Sequence, residues 1–148
     1  MYACILHEYV EGSVDVSRVI RMLLLHDIVE LGIGEAPIHG ERSPQEQSER
    51  KIRAAKRLIG IFPEPLSAEL LELWQEFEAA SSDDACFAKA LERFQPLLVN
   101  MFTEGGTWRE SDISLKQGES RYGPVFRREA PRLWVMCEAW IEQNLRPA

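Results

Sequence analysis

No stretch of this chain alternates apolar and polar residues for long enough to make a half-buried strand, whereas apolar residues recur at helical spacing almost throughout. That pattern predicts an all-α fold. Asp15 is placed to cap a helix over Val16 to Glu30, whose Val19, Ile20, Leu23 and Leu24 repeat at helical intervals. Gly32, Gly34 and Pro37 then break the chain into a loop. Ser43-Pro44-Gln45-Glu46 is a strong start signal: a Ser cap, Pro at the first helical position, and Glu three residues after the cap. The helix it opens is expected to run to Gly60.

Ser67 is read as the cap of a helix carrying Leu70, Leu71, Trp74 and Phe77, and a further helix is expected from about Ala85 to Phe102. Gly105-Gly106 ends it. From there to Glu129 the sequence reads as loop-rich, with one short helix over Ser114 to Ser120, and Pro131 opens the last helix through Trp134, Trp140 and Ile141. Tyr2 to Val10 is a further apolar stretch at the N-terminus.

The 148 residues fit one domain, 1–148, with neither repeat nor linker. A domain of this size buries roughly 70% of the surface its unfolded chain exposes, so its core needs no covalent staples. The net charge of -7 argues against nucleic acid or an anionic membrane as partner, because both select a positive field. A small phosphate ester stays compatible, since one metal ion and a few local cations can hold it. Cys4, Cys86 and Cys137 lack metal-knuckle or redox spacing and read as reduced thiols in the core, which suits a cytoplasmic protein. No apolar run approaches the roughly 20 residues of a membrane span, and the N-terminal apolar stretch has no basic leader.

The chemistry concentrates in Leu24-Leu25-His26-Asp27-Ile28-Val29-Glu30 and the following Gly34-Glu35. On a helix, Glu30 lies about 40° from His26 and about 60° from Asp27. Three polar side chains therefore crowd the end of an apolar helix. Burying them together costs free energy unless something pairs them, and a divalent metal is one solution. An exposed helix terminus with solvated side chains is the alternative reading of the same residues.

This segment resembles the HD superfamily of metal-dependent phosphohydrolases, in its bacterial 5'-deoxynucleotidase-like branch. The resemblance extends to Phe62-Pro63-Glu64-Pro65, to Ala88-Lys89-Ala90-Leu91-Glu92 with Gln95-Pro96, and to Gly105-Gly106-Thr107-Trp108, all in the family's order. It implies an HD-domain helical bundle, a homodimer, and a divalent ion (Mn, Mg, Co or Zn) held by His26, Asp27 and Glu92. It also implies that Glu30 and Glu35 serve as catalytic acids in hydrolysis of nucleoside 5'-monophosphates. Three departures accompany it. The family's first His belongs a few residues upstream of Met1, and His7 lies roughly 16 Å too far along to replace it. Positions 35 and 92 carry Glu where the family has Asp. These changes predict weakened metal binding and impaired activity, with a degenerate HD-fold binding or assembly protein as the alternative. An in-frame upstream His would instead mark a longer natural chain.

The remaining residues have plainer expectations. His39 is expected in solvent, Trp74, Trp134 and Trp140 in the core, and Trp108 either in the core or beside a pocket. Lys51, Arg53, Lys56 and Arg57 read as a solvated face. Lys89 and Arg93 could form a small cationic spot, and Arg93 could instead pair with Glu92.

Overall fold

The structure is a computed structural model that describes residues 1–10, 12–33, 43–110 and 112–144. Gly34, Glu35, Pro37 and His39 lie outside the described residues. Among those described there is no strand. The helices are α1 (Tyr2–Leu6), α2 (Val16–Ile33), α3 (Pro44–Ile59), α4 (Leu66–Ala79), α5 (Asp83–Phe102), α6 (Gly106–Glu110), α7 (Leu115–Glu129) and α8 (Pro131–Asn144), with a 3₁₀ turn over His7–Tyr9.

Local chemistry accounts for most of the starts. Asp15 Oδ1 accepts from the amides of Ser17 and Arg18 at 2.9 and 3.1 Å, capping α2 as expected. Ser43 and Glu46 close a full capping box at the head of α3. α4 departs from expectation. It begins at Leu66, just after Pro65, so Ser67 lies inside the helix and donates its hydroxyl to Glu64 Oε1 at 2.7 Å. α5 is capped by Ser82, whose hydroxyl accepts from the Ala85 amide.

The segment read as loop-rich is in fact the helix α7, continuous through Gly118, Gly123 and Pro124. Two forces override those residues. Ser114 and Gln117 form a second capping box, and Tyr122 and Phe126 are buried. Burial of the two large rings is worth about 1.5–3 kcal/mol each, against roughly 1 kcal/mol for each helical glycine and roughly 3 kcal/mol for the proline. Gly123 also serves packing, since a Cβ there would stand 3.3 Å from the Trp134 ring of α8.

The helices enclose two cores joined by α5. The first gathers Val19, Met22 and Val29 of α2, Ala54, Ala55 and Ile59 of α3, Leu73, Trp74 and Phe77 of α4, and Phe87, Ala88 and Leu91 of α5. The second gathers Ala90, Phe94 and Leu97 of α5 with Trp108, Tyr122, Phe126, Leu133, Trp134, Cys137 and Ile141. Trp74 and Trp134 are buried as expected, Trp140 packs half-buried against the second core, and Trp108 fills that core. Cys86 and Cys137 are buried as expected, whereas Cys4 is exposed rather than in the core, and none of the three is in a disulfide.

The α5–α6 turn needs its glycines: Gly105 has φ 98° and Gly106 φ 29°, and a Cβ on Gly106 would stand 2.4 Å from Thr103 Oγ1. Asn100 fastens this turn. It is buried, donates through Nδ2 to the Pro96 carbonyl at 2.9 Å, and accepts at Oδ1 from Thr107 Oγ1 and the Trp108 amide at 3.2 and 3.3 Å. Pro96, inside α5, has no N–H to give its helix.

Candidate functional site

His26 sits near the C-terminal end of α2 and is only 6% exposed. Its helix turns it inward with Val19, Met22 and Val29, because these residues share a face at helical spacing. Both ring nitrogens meet carboxylates. Nδ1 is 3.5 Å from Glu78 Oε1 of α4, and Nε2 is 3.7 Å from Glu92 Oε1 of α5. The Phe77 ring lies 4.8 Å from the imidazole, tilted 44°.

Two lysines complete the cluster. Lys89 Nζ lies 3.6 Å from Glu78 Oε1, 3.5 Å from Glu92 Oε2 and 3.9 Å from the centre of the Phe77 ring. Lys51 of α3 reaches Glu30 at 2.5 Å and Glu78 Oε2 at 3.8 Å. Lys51 is therefore part of the site rather than of a solvated face. Burial alone would lower its pKa; the hydrogen bond to Glu30 and the charges of Glu78, Glu30 and Glu92 outweigh it and raise the pKa above its usual value. Burial likewise pushes Glu78 upward, but the His26 contact and the charges of Lys89 and Lys51 hold its carboxyl down at about 2.

Lys89 and Arg93 do not make the cationic spot that the sequence suggested. Lys89 turns into the acids, while Arg93 donates to the Arg121 carbonyl of α7 at 2.9 Å. Asp27 and Glu30 are exposed at the same end of α2 as His26. Sequence reasoning missed Glu78 entirely. The available signal was its place directly after Phe77, at the edge of an apolar helix face. Lys89 carried a similar signal, flanked by Ala88 and Ala90, both fully buried.

His26 and Glu92 fit a shared ion. Two bonds of about 2.1 Å to one metal leave donor atoms between about 3 and about 4.2 Å apart, and 3.7 Å falls inside that range. Among the described residues, no group of three His, Cys, Asp or Glu side chains lies close enough to hold a metal. The pair thus matches a metal centre in part, and Lys89 stands where it already neutralises both flanking carboxylates.

The sequence matches the model of the HD domain over residues 1–134. The chain belongs to the HD domain family. Within it, the chain is 36% identical over 81 residues to 5'-deoxynucleotidase HDDC2 of Mus musculus, covering 55% of this chain and 41% of that protein. It is 28% identical over 96 residues to 5'-deoxynucleotidase hdd1 of Schizosaccharomyces pombe, covering 62% of this chain and 48% of that one. Each match thus spans less than half of the relative's length. A crystal structure from Magnetospirillum magnetotacticum, called a "predicted metal-dependent phosphohydrolase", superposes with a TM-score of 0.84 at 41% identity. It covers 96% of this chain and 70% of the other. The HD family match and this neighbour together imply a divalent metal. No helix among the described residues is long and apolar enough to cross a membrane.

Proposed function

We propose that this chain is the HD domain of a phosphomonoesterase acting on nucleoside 5'-monophosphates. The observation that carries the reading is the convergence of His26 and Glu92 from two helices, 3.7 Å apart, in a chain of this family. His26, Asp27 and Glu92 would hold the divalent ion, which when bound polarises the ester and makes its water more acidic. Glu30 and Glu35 are the candidates for moving the proton, and Lys51 holds the Glu30 carboxylate in place. Lys89 supplies positive charge beside His26 and Glu92, where an anionic substrate would bind.

Three protein donors, one nitrogen and two carboxylates, select manganese or magnesium over zinc and hold such ions weakly. The 148-residue chain is therefore expected to purify largely metal-free, with little phosphatase activity. Metal analysis beside a phosphate-release screen on deoxynucleoside monophosphates tests this. An extended chain carrying a His a few residues before Met1 should regain metal and activity, and His26→Ala should remove both. The reading fails if the extended chain takes up no divalent ion and releases no phosphate. Tight stoichiometric binding by the present chain would contradict the predicted weakness.

A second reading, a degenerate HD-fold binding or assembly protein, draws on the absence of a three-donor group among the described residues. Self-association is part of either reading. Leu24 and Ile28 of α2 are 57% and 50% exposed, and a homodimer would cover them. Light scattering that returns a clean monomer at high concentration would remove this element. Three cysteines with no disulfide among them fit a cytoplasmic setting.

A further inference from the structure

Outside the residues carried over from the family, one half-buried acid touches every other charged member of the cluster except Glu30 and Glu92. Glu78 faces His26 Nδ1 at 3.5 Å, Lys89 at 3.6 Å and Lys51 at 3.8 Å, and its side chain is 26% exposed. Its Oε1 is fully enclosed and closes no hydrogen bond of good geometry. A buried carboxylate oxygen left in that state costs free energy unless a donor approaches, and two donors face it, the imidazole Nδ1 edge at 3.5 Å and the Lys89 ammonium at 3.6 Å.

We propose that Glu78 is the positioning residue of His26. Its carboxylate holds the proton on Nδ1, and Nε2 is thereby left bare and directed at Glu92. Two consecutive residues of α4 then fix the imidazole. Phe77 limits the ring's tilt from one face, and Glu78 fixes its rotation from the edge. Glu92 is the weaker candidate for the same task. It stands farther off, at 3.7 Å against 3.5 Å, and its side chain is more exposed, at 36% against 26%. Glu78 is also gripped by lysines from two separate helices, α3 and α5, whereas Glu92 has one lysine, Lys89, in ion-pair contact among the described residues. A ligating histidine is ordinarily oriented in this way, through a carboxylate on its second nitrogen. The use made of the bare Nε2 rests on the phosphoesterase reading above; the orientation itself does not.

The test is the tautomer of His26, read from long-range ¹⁵N–¹H correlations of the uniformly labelled chain at pH 9, with neither metal nor substrate. The wild-type protein should show the proton on Nδ1. Glu78→Gln retains an acceptor oxygen and should retain that pattern. Glu78→Ala should lose it, moving the population to the Nε2–H form that a solvated imidazole prefers. The proposal is overturned if wild-type His26 carries its proton on Nε2, a result that needs no variant to fold. It is equally overturned if a folded Glu78→Ala keeps Nδ1–H. A chain that gives the expected tautomers but neither takes up Mn(II) nor, once extended, releases phosphate would leave the positioning role standing and sink the nucleotidase reading.

Discussion

Among the described residues two polar side chains are buried, one beside each core, and the two are treated differently. In the second core, Asn100 has a donor or acceptor for both ends of its amide, at 2.9 to 3.3 Å. In the first core, His26 has carboxylates opposite both nitrogens, but at 3.5 and 3.7 Å. The materials differ as well. Ala3, Ala54, Ala55, Ala85 and Ala88 line the first core beside the rings of Trp74, Phe77 and Phe87, while five rings, Phe94, Trp108, Tyr122, Phe126 and Trp134, dominate the second. Small residues bring helices close and leave room at the core's edge for lysine stems and carboxylates. One region is packed around a hydrogen-bonded turn; the other carries a cluster of charged side chains at its edge.

Large-to-small changes should test this division most severely. Phe77 and Phe126 are both fully buried, one in each core. Either change to Ala should cost about 3–5 kcal/mol in urea unfolding. Phe77→Ala should also shift the His26 resonances, since the rings are 4.8 Å apart. Phe126→Ala should leave them in place under conditions where it remains folded. Movement of His26 in Phe126→Ala would dissolve the distinction.

Asn100→Ala comes next. It removes the acceptor shared by Thr107 and the Trp108 amide; Thr107 is exposed and the Trp108 amide keeps the Gly105 carbonyl at 2.8 Å, so the loss should be about 0.5–1.5 kcal/mol. A urea midpoint close to wild type would mean that the α5–α6 turn does not depend on this clasp.

The acid limb of the stability curve belongs to the first core. The Glu78 carboxyl is held at about 2 in the folded chain against an ordinary 4.5. Its contribution is therefore fully present above pH 4.5 and is lost as pH falls from there toward about 2. Stability of the wild type should fall over that range more steeply than that of Glu78→Gln. Parallel curves would show that the lysines gain nothing from this carboxylate. The smallest effect is chemical. Burial pushes the Cys137 thiol up to about 12, so iodoacetamide should label exposed Cys4 quickly and Cys137 only on unfolding. Fast labelling of Cys137 in native protein would mean that the second core is looser than described.

What could be read from sequence follows how local each cause is. The Ser43 capping box is written in four consecutive residues, and the structure closes it as expected. α7 was hidden because Gly118, Gly123 and Pro124 argue locally against a helix, while its cause, the burial of Tyr122 and Phe126, depends on α5 and α8. The site divides in the same manner. The meeting of His26 with Glu92 could be anticipated from segments in family order. The reach of Lys51 across to Glu30 and Glu78 could not, because its helix reads as evenly charged and the partners come from α2 and α4.

Pro96 bears on the longer acid at position 92. A helix would normally close on the Glu92 carbonyl with the amide four residues ahead, and a proline there has none to offer. Glu92 therefore sits at a missing rung of its own helix. Its main-chain oxygen has a lone pair released from the ladder, and its peptide plane can tilt with one restraint fewer than its neighbours. A glutamate carries its carboxylate one methylene farther from the backbone than an aspartate does. The missing rung and the extra reach therefore occur at the same residue.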